Sequence, residues 1–404
     1  MRKTFITMLL VASVVHSALA GGYQVRLQGA RQTGMGLVGT PLSAGASSIF
    51  YNPGALGFTK SNMEFTAGVN AIMSKITYRS LGSEYTAKTD NPISPPFFIY
   101  GAGKITDKLT LGLGVYTPYG SKAVWDDNWK GRYLIQNIGL KAYYIQPTLS
   151  YQVCERIGIG AGLVYVMGDV TLQKALPYND NSYVNLSGKT NSFGFNDGDF
   201  SKPTEKLSIV FNYIKKIEVK LEGGDATFVI PQSLSTLLPA DNKFGAMLPM
   251  PANADFGIAY QVNEKLLVAV ELDWVMWSTY DSLGFTFEQK GELLNSNSPR
   301  LYKDSFIPRI GIEYTVNPKL QLRTGAYYDT SPVNSDYFSP ETVSLNTTAF
   351  SFGLSYKPIS NLSIDFSYLH LMGQESVKKY TPDNFEGTYK SNTAIPGFGI
   401  TYSF

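Results

Sequence analysis

From about residue 62 to the last residue, apolar and polar side chains alternate with a period of two, the pattern of β-strands with one apolar and one polar face. In the segment 349–357, Phe350, Phe352, Leu354 and Tyr356 fall on one side and Ser351, Gly353, Ser355 and Lys357 on the other. Leu362, Ile364, Phe366 and Tyr368 repeat the pattern against Ser363, Asp365 and Ser367, and the turn-forming run Pro358-Ile359-Ser360-Asn361 makes the pair a hairpin. Residues 304–316 and 319–328 pair likewise across Asn317-Pro318. Ile310, Ile312, Tyr314, Leu320 and Leu322 share one face, and Arg309, Glu313, Gln321 and Arg323 the other. About fourteen strands can be counted, beginning near residues 62, 96, 109, 142, 157, 191, 206, 253, 265, 300, 319, 348, 362 and 392.

Alternation alone fits a water-soluble sandwich as well as a membrane barrel. The connections decide between them. Short ones at Thr106-Asp107-Lys108, Cys154-Glu155-Arg156, Pro203-Thr204, Asn263-Glu264, Asn317-Pro318 and Ser360-Asn361 alternate with much longer ones. Short turns on one side and long loops on the other, with an even strand number, match a bacterial outer-membrane barrel whose termini are periplasmic. Closure also removes the strand edges that lipid does not tolerate. The expected fold is all-β, a 14-stranded antiparallel transmembrane β-barrel over residues 61–404, ending on Phe404, an aromatic of the kind that serves such barrels as an assembly signal. A sixth strand that is short or bulged is expected, because Asp197 and Asp199 break its apolar face.

The other end of the chain agrees. Met1-Arg2-Lys3, an apolar stretch from Phe5 to Val15, and Ala18-Leu19-Ala20 predict a signal peptide over residues 1–20. Few charges (16%) beside many aromatics (13%) suit a wall facing lipid. Without Arg2 and Lys3 the 34 basic residues fall to 32, equal to the 32 acidic ones, so nothing suggests nucleic acid. The two histidines, one of them in the leader, and the single Cys154 leave almost no material for a metal cluster, a disulfide framework or a His-based catalytic centre. No enzyme, metal or cofactor is expected, and no ATP or ion-binding motif appears.

Residues 21–60 are too small and glycine-rich for a spanning strand, with Gly29, Gly34, Gly36, Gly39 and Gly45 followed by Ile49-Phe50-Tyr51-Asn52-Pro53-Gly54. Since fourteen strands enclose more space than side chains fill, this segment is read as a hatch of short helices and loops plugging the lumen.

Four stretches carry a family resemblance: Tyr51-Asn52-Pro53-Gly54-Ala55-Leu56, Trp129-Lys130-Gly131-Arg132-Tyr133, Leu267 to Ser278, and Gly325-Ala326-Tyr327-Tyr328-Asp329-Thr330-Ser331-Pro332-Val333. In their order and spacing the chain resembles the FadL/TodX outer-membrane transporters of long-chain fatty acids and aromatic hydrocarbons. The resemblance implies a hatch, an extracellular hydrophobic groove, a deeper pocket beside the hatch, and lateral exit at a kink in the third strand. Where the family has Asn-Pro-Ala, this chain has Asn52, Pro53 and Gly54, which loosens the backbone there.

On this reading the apolar loop between Gly223 and Pro251 supplies groove residues Leu234, Leu237, Leu238, Phe244, Met247, Leu248 and Met250, soft enough to hold an acyl chain. Arg309 and Arg323 are carboxylate candidates in the lumen, with pairing to Glu313, Asp329, Asp365 or the hatch as their structural alternative. Lys104, Arg132 and Lys141 are weaker candidates. Gly112, Gly114, Pro118 and Gly120 mark the expected lateral opening. The expected function is passive transport of hydrophobic small molecules, foremost long-chain fatty acids, by a monomer among outer-membrane lipids and lipopolysaccharide. Uptake of neutral aromatic hydrocarbons is the alternative, and a non-specific porin or an adhesive surface protein the rivals of another class.

Overall fold

Backbone polar groups that cross lipid must be satisfied inside the wall, and the chain achieves this with one closed sheet. The computed structural model describes residues 22–179, 181–235 and 238–404, so the expected signal peptide over residues 1–20 lies outside the described residues. Among them, 21 strand segments join one antiparallel sheet. Eighteen of them form 14 staves, four of these broken in two, and the short segments Thr86–Lys88, Ser296–Pro299 and Ser376–Tyr380 extend the sheet in the long loops. The first three are β1 (Met63–Asn70 and Met73–Arg79), β2 (Phe97–Lys104) and β3 (Leu109–Val124). Longer staves follow: β4 (Asn137–Cys154), β5 (Ile157–Ala175) and β6 (Tyr183–Thr204). Then come β7 (Leu207–Ile214 and Ile217–Val229), β8 (Asp241–Met250 and Asn253–Gln261) and β9 (Leu266–Val275 and Ser282–Phe287). The last five are β10 (Ser305–Asn317), β11 (Leu320–Asp329), β12 (Thr347–Ile359), β13 (Leu362–Gly373) and β14 (Phe385–Ser403). β14 closes on β1 from Glu64↔Ser403 to Asn70↔Gly397.

The apolar face points outward, the reverse of a soluble sandwich. On β12, Phe350, Phe352, Leu354 and Tyr356 are exposed while Ala349, Ser351 and Ser355 are buried against the interior. Tyr151, Tyr260, Tyr314, Tyr356 and Tyr402 all sit near the short-turn ends of their strands and face out, an aromatic girdle at one membrane interface.

Two expectations about the wall are corrected. β6 is the longest unbroken stave, with 22 residues, and pairs with β5 without a slip from Ile157↔Ser201 to Ala175↔Tyr183. Asp197 and Asp199 leave the ladder intact because their side chains occupy the outer face, whereas the inward Asn196 and Gly198 meet the hatch. The presumed loop 223–251 is mostly the tall β7–β8 hairpin, registered from Ile217↔Met250 to Thr227↔Asp241. Its apolar residues alternate, with Val219, Leu221, Phe228, Phe244 and Met250 turned inward and Val229 and Met247 outward, extending the wall beyond the membrane band.

Residues 22–59 fill the lumen as coil with the short helices Ala30–Gly34, Gly45–Ser47, Ser48–Tyr51 and Pro53–Phe58. Wall side chains satisfy their backbone. Gln146 Nε2 donates to Ile49 O (2.7 Å), Asn196 Nδ2 to Phe50 O (2.9 Å), and Ser351 Oγ accepts from Gly36 N (2.7 Å) and donates to Gly34 O (3.0 Å). Gly54 answers a packing demand and has no need of a loose backbone: a Cβ there would stand 2.6 Å from the Gly198 carbonyl oxygen on β6. Asn52 caps the turn, accepting from Gly54 N (2.9 Å) while its Nδ2 donates to Asp199 O (2.9 Å).

Candidate functional site: a plugged lumen and a gap in its wall

Arg26 and Arg31 are the only charged side chains from residue 22 to 59, and each meets the wall. Arg26 is 4% exposed and makes a two-pronged pair with Asp255 (3.0 and 3.1 Å), with Glu271 at 3.4 Å and Asp273 at 3.3 Å. Glu271 also accepts from the hatch amides of Gly39 (2.9 Å) and Thr40 (2.7 Å). Arg31 bonds Glu313 through Nε and Nη2, both at 2.8 Å. The hatch is thus held by charge to β8, β9 and β10. The sequence offered a signal for this: Asp255, Glu271 and Asp273 lie on the polar phase of strands whose other phase is Phe256, Val270 and Leu272.

The hatch divides the lumen into unlike cavities. Towards the short turns lies a space of about 710 Å³ lined by charged groups, among them Arg31, Glu64, Glu313, Arg323 and Asp365. Towards the long loops lies one of about 640 Å³ with an apolar lining that includes Val25, Leu27, Leu369, Leu371 and Ile395. Arg309 and Asp329 also border it. Leu140, Ser121, Asp169, Glu341 and Thr342 are shared with a narrower slot of about 90 Å³, walled by Val219, Leu221, Phe244, Leu248, Met250 and Phe285 and closed by Tyr23.

The lining of the larger outer cavity reaches the wall between β2 and β3. β2 begins only at Phe97, and its ladder with β3 stops at Phe98↔Tyr116, yet β3 continues to Val124. Against β4 the register slips between Tyr116 and Tyr119, so Thr117 and Pro118 form a bulge. The edge that β2 leaves is taken by the start of the hatch: Val25 N donates to Pro118 O (2.7 Å), Gly120 N to Tyr23 O (2.9 Å), and Gln28 Nε2 to Thr117 O (2.9 Å). The lining includes outward-facing Phe97 and Tyr143 and the 58% exposed Ile93 as well as lumen residues, so it draws on both faces of the wall.

The sequence-predicted residues fall unevenly on this frame. Pro118 lies in the bulge and Gly120 beside it, but Gly112 and Gly114 lie in regular ladder below it, where missing side chains make room for Ile49 and Leu56 of the hatch. Phe244, Leu248 and Met250 line the inner slot and Leu238 is buried, whereas Met247 faces out at 50% exposure and Leu234 is only half-buried; Leu237 lies outside the described residues. Among the described residues they are split between the slot, the hairpin's outer face and the loop tip.

Arg309 and Arg323 do not converge either. Arg323 sits opposite Glu313, four residues along β10 from Arg309, on the order of 13 Å away, and borders the other cavity. It is bonded to Glu313 (2.6 Å), Asp365 (2.7 Å) and Gln321 (3.1 Å). Arg309 is held by Asp273 (2.7 and 2.8 Å) under the Tyr327 ring (4.7 Å), with only Nη1 unbonded. Of the pairings that sequence allowed, Arg323 forms those with Glu313 and Asp365, whereas Arg309 pairs with Asp273, a partner the sequence reading did not name. Of the weaker candidates, Lys141 lies on the outer rim of the gap; Lys122, which sequence reasoning missed, stands beside it.

Comparison with known proteins agrees with this architecture. The chain is 25% identical over its whole length to an outer membrane protein of Neisseria meningitidis, covering 98% of that protein. It is also 25% identical over 76% of its length to outer membrane protein P1 of Haemophilus influenzae, covering 74% of it. Among solved structures, a Pseudomonas aeruginosa FadL homologue superposes with TM-score 0.83 at 20% identity over 95% of this chain and 100% of that one. The Pseudomonas putida toluene transporter TodX superposes at 0.72 and 17% identity, covering 93% of this chain and 98% of that one. The family model described as outer membrane protein transport protein (OMPP1/FadL/TodX) matches residues 11–404, and the chain therefore belongs to that family of outer-membrane transporters of hydrophobic compounds.

Proposed function

We propose that the protein carries long-chain fatty acids passively from the outer cavity through the gap between β2 and β3 into the lipid. The observation that supports this most directly is the cavity itself. It is apolar along most of its length, is shut from the short-turn side by the charge-anchored hatch, and reaches the wall at Thr117-Pro118. Its 640 Å³ falls within the roughly 300–1,000 Å³ of pockets that hold extended ligands of drug size.

Apolar contact supplies the affinity. Each buried methylene contributes about 0.8 kcal/mol, so a dozen contribute on the order of 10 kcal/mol before ordering costs. The adjoining 90 Å³ slot, with Phe244, Phe285 and Tyr280 in its lining, favours a second reading in which a neutral aromatic ring is the cargo. The test is equilibrium binding of a radiolabelled long-chain fatty acid to detergent-purified protein with an aromatic hydrocarbon as competitor. Saturable acid binding supports the fatty acid reading, competitor binding alone moves the assignment to hydrocarbons, and binding of neither overturns transport of hydrophobes.

A further inference from the structure

The gap in the wall has a cationic rim that no lumen role explains. The outward apolar series on β4 runs Val153, Tyr151, Leu149, Pro147, Ile145 and Tyr143, and the next outward residue is Lys141. Lys141 therefore stands where the lipid-facing band ends, at the level of head groups. It lies opposite Gly120 on β3, and Lys122 lies opposite Gly139, so the two lysines are diagonal neighbours on one face of adjacent strands. Both line the cavity that reaches the wall there. Just below them, Phe97 and Tyr143 approach across β3 with ring centroids 6.3 Å apart, an apolar lip under a charged one.

Each ammonium has capacity to spare. Lys122 donates one bond, to Asn137 Oδ1 at 2.7 Å, and Lys141 forms no ion pair among the described residues. Asp169 is across the ladder from Lys141, and Lys189 is across from Asp169, so this row holds one carboxylate among three ammonium groups when Lys122 is included. Inside the lumen the balance is reversed: Arg26 and Arg309 share a buried space with Asp255, Glu271, Asp273 and Asp329. An anion entering there meets an excess of carboxylates, whereas an anion at the rim meets unmatched cations beside water.

We propose that Lys122 and Lys141 form the receiving site for the anionic head of a single-chain amphiphile whose tail occupies the gap, so that the favoured cargo is an acid rather than a neutral hydrocarbon. This rests on the lateral reading above and adds the head-group site to it. The lysines hold the head at the interface while the chain moves past Thr117-Pro118 along the lip of Phe97 and Tyr143, so the charge stays clear of the buried carboxylates around Arg26 and Arg309.

The experiment measures binding of hexadecanoate and of hexadecanol to detergent-purified wild type, the double variant Lys122→Gln with Lys141→Gln, and the double variant with Arg at both positions. Folding of each is checked by heat-modifiable gel mobility. The expected result is a loss of roughly tenfold to a hundredfold in hexadecanoate affinity in the Gln variant, from charge-assisted hydrogen bonds, with hexadecanol unchanged and the Arg variant near wild type. Unchanged hexadecanoate binding in the folded Gln variant, or an equal loss for acid and alcohol, overturns the proposal and leaves transport standing. A third probe, lipid A, separates the sources of an anionic head: if the Gln variant loses lipid A while hexadecanoate holds, the lysines contact a resident lipid and the proposal fails. If wild type binds neither acid nor alcohol, it is the transport reading itself that falls.

Discussion

Replacing Arg26 by Met tests whether charge holds the hatch shut. The arginine is 4% exposed and faces Asp255, Glu271 and Asp273, which are each 3% exposed or less. Methionine fills a similar volume but leaves those carboxylates with Arg309 as their remaining cation, and Arg309 is already engaged by Asp273. Removing one partner of a buried ion pair costs about 3–5 kcal/mol, because the partner's charge stays behind without compensation. The anchor joins hatch to wall, so most of that cost falls on the docked hatch and little on the barrel ladder. At about 1.4 kcal/mol per power of ten, the undocked population rises by roughly two to nearly four powers of ten. Single-channel recording in planar bilayers reads this directly: wild type should be almost silent, and Arg26→Met should show frequent openings. A second substitution, Asp255→Asn, removes one stranded charge and should return part of the closure. A silent Arg26→Met channel, with amide exchange of residues 22–59 unchanged, would refute the reasoning and assign closure to packing alone.

Ser351→Ala removes the acceptor of Gly36 N and the donor to Gly34 O; a loss of about 1–3 kcal/mol at a buried, unmatched backbone pair should show as faster hydrogen exchange at Gly36. Gly54→Val drives a side chain into the Gly198–Asp199 backbone of β6, and overpacking of about 1–3 kcal/mol should lower the melting temperature, whereas Gly82→Val, in open space, should cost less in packing. Asp304, just outside β10, is partly desolvated, which pushes its carboxyl up. Bonds from Ser278 and Trp274 outweigh this and hold it below the ordinary aspartate value of about 3.9. A depressed folded-state value means stability that is present above the unfolded value and lost as pH falls through the folded one. Acidification below about pH 4 should therefore change Trp274 fluorescence, and Asp304→Asn should abolish that change.

Period two made the wall legible. Hairpins such as Thr347–Ile359 with Leu362–Gly373 stand within a residue or two of where the alternation of Phe350 to Tyr368 put them, because outward side chains must be apolar wherever lipid touches. The same pattern is present in Phe244, Leu248 and Met250, but apolar residues beyond the expected band read as loop, since the alternation says nothing of how far a wall rises past the membrane. Glycines misled for a related reason. In a strand they mark either a weak ladder or a close approach, and only the position of Ile49 and Leu56 shows that Gly112 and Gly114 are of the second kind. Arg309 and Arg323 share a face and neighbouring strands, which sequence did convey. Their separation along the barrel axis depends on the register of β10 with β11, fixed by the turn at Asn317 where the ladder itself slips.

The two ways out of the outer cavity differ in what a ligand must give up. Straight down, an acyl chain has to displace the hatch, breaking the Arg26 and Arg31 pairs, and then enter a space bordered by Glu64, Glu313, Arg323 and Asp365, where its methylenes meet charged walls and water. Sideways, it slides between apolar neighbours from Leu369 and Ile395 to Phe97, Tyr143 and the bilayer, so the roughly 0.8 kcal/mol per methylene gained on entry is retained throughout. What the sideways route asks of the protein is small, because the Thr117, Pro118 and Gly120 backbone groups facing β2 are bonded to Gln28, Val25 and Tyr23 of the hatch, and the tie to β2 there is the Thr117 hydroxyl, which accepts from Phe97 N (3.0 Å) and donates to Phe97 O (3.3 Å). On the proposed route the gap would widen by shifting the first residues of the hatch and parting the Thr117–Phe97 bonds, while the Arg26 anchor would keep the axial path shut. Gln28→Ala separates the two motions: it frees Thr117 O at the bulge and leaves the anchor intact. Release of bound hexadecanoate into liposomes should change while ion conductance stays at the wild-type level, and a rise in conductance without any change in release would place the route through the hatch.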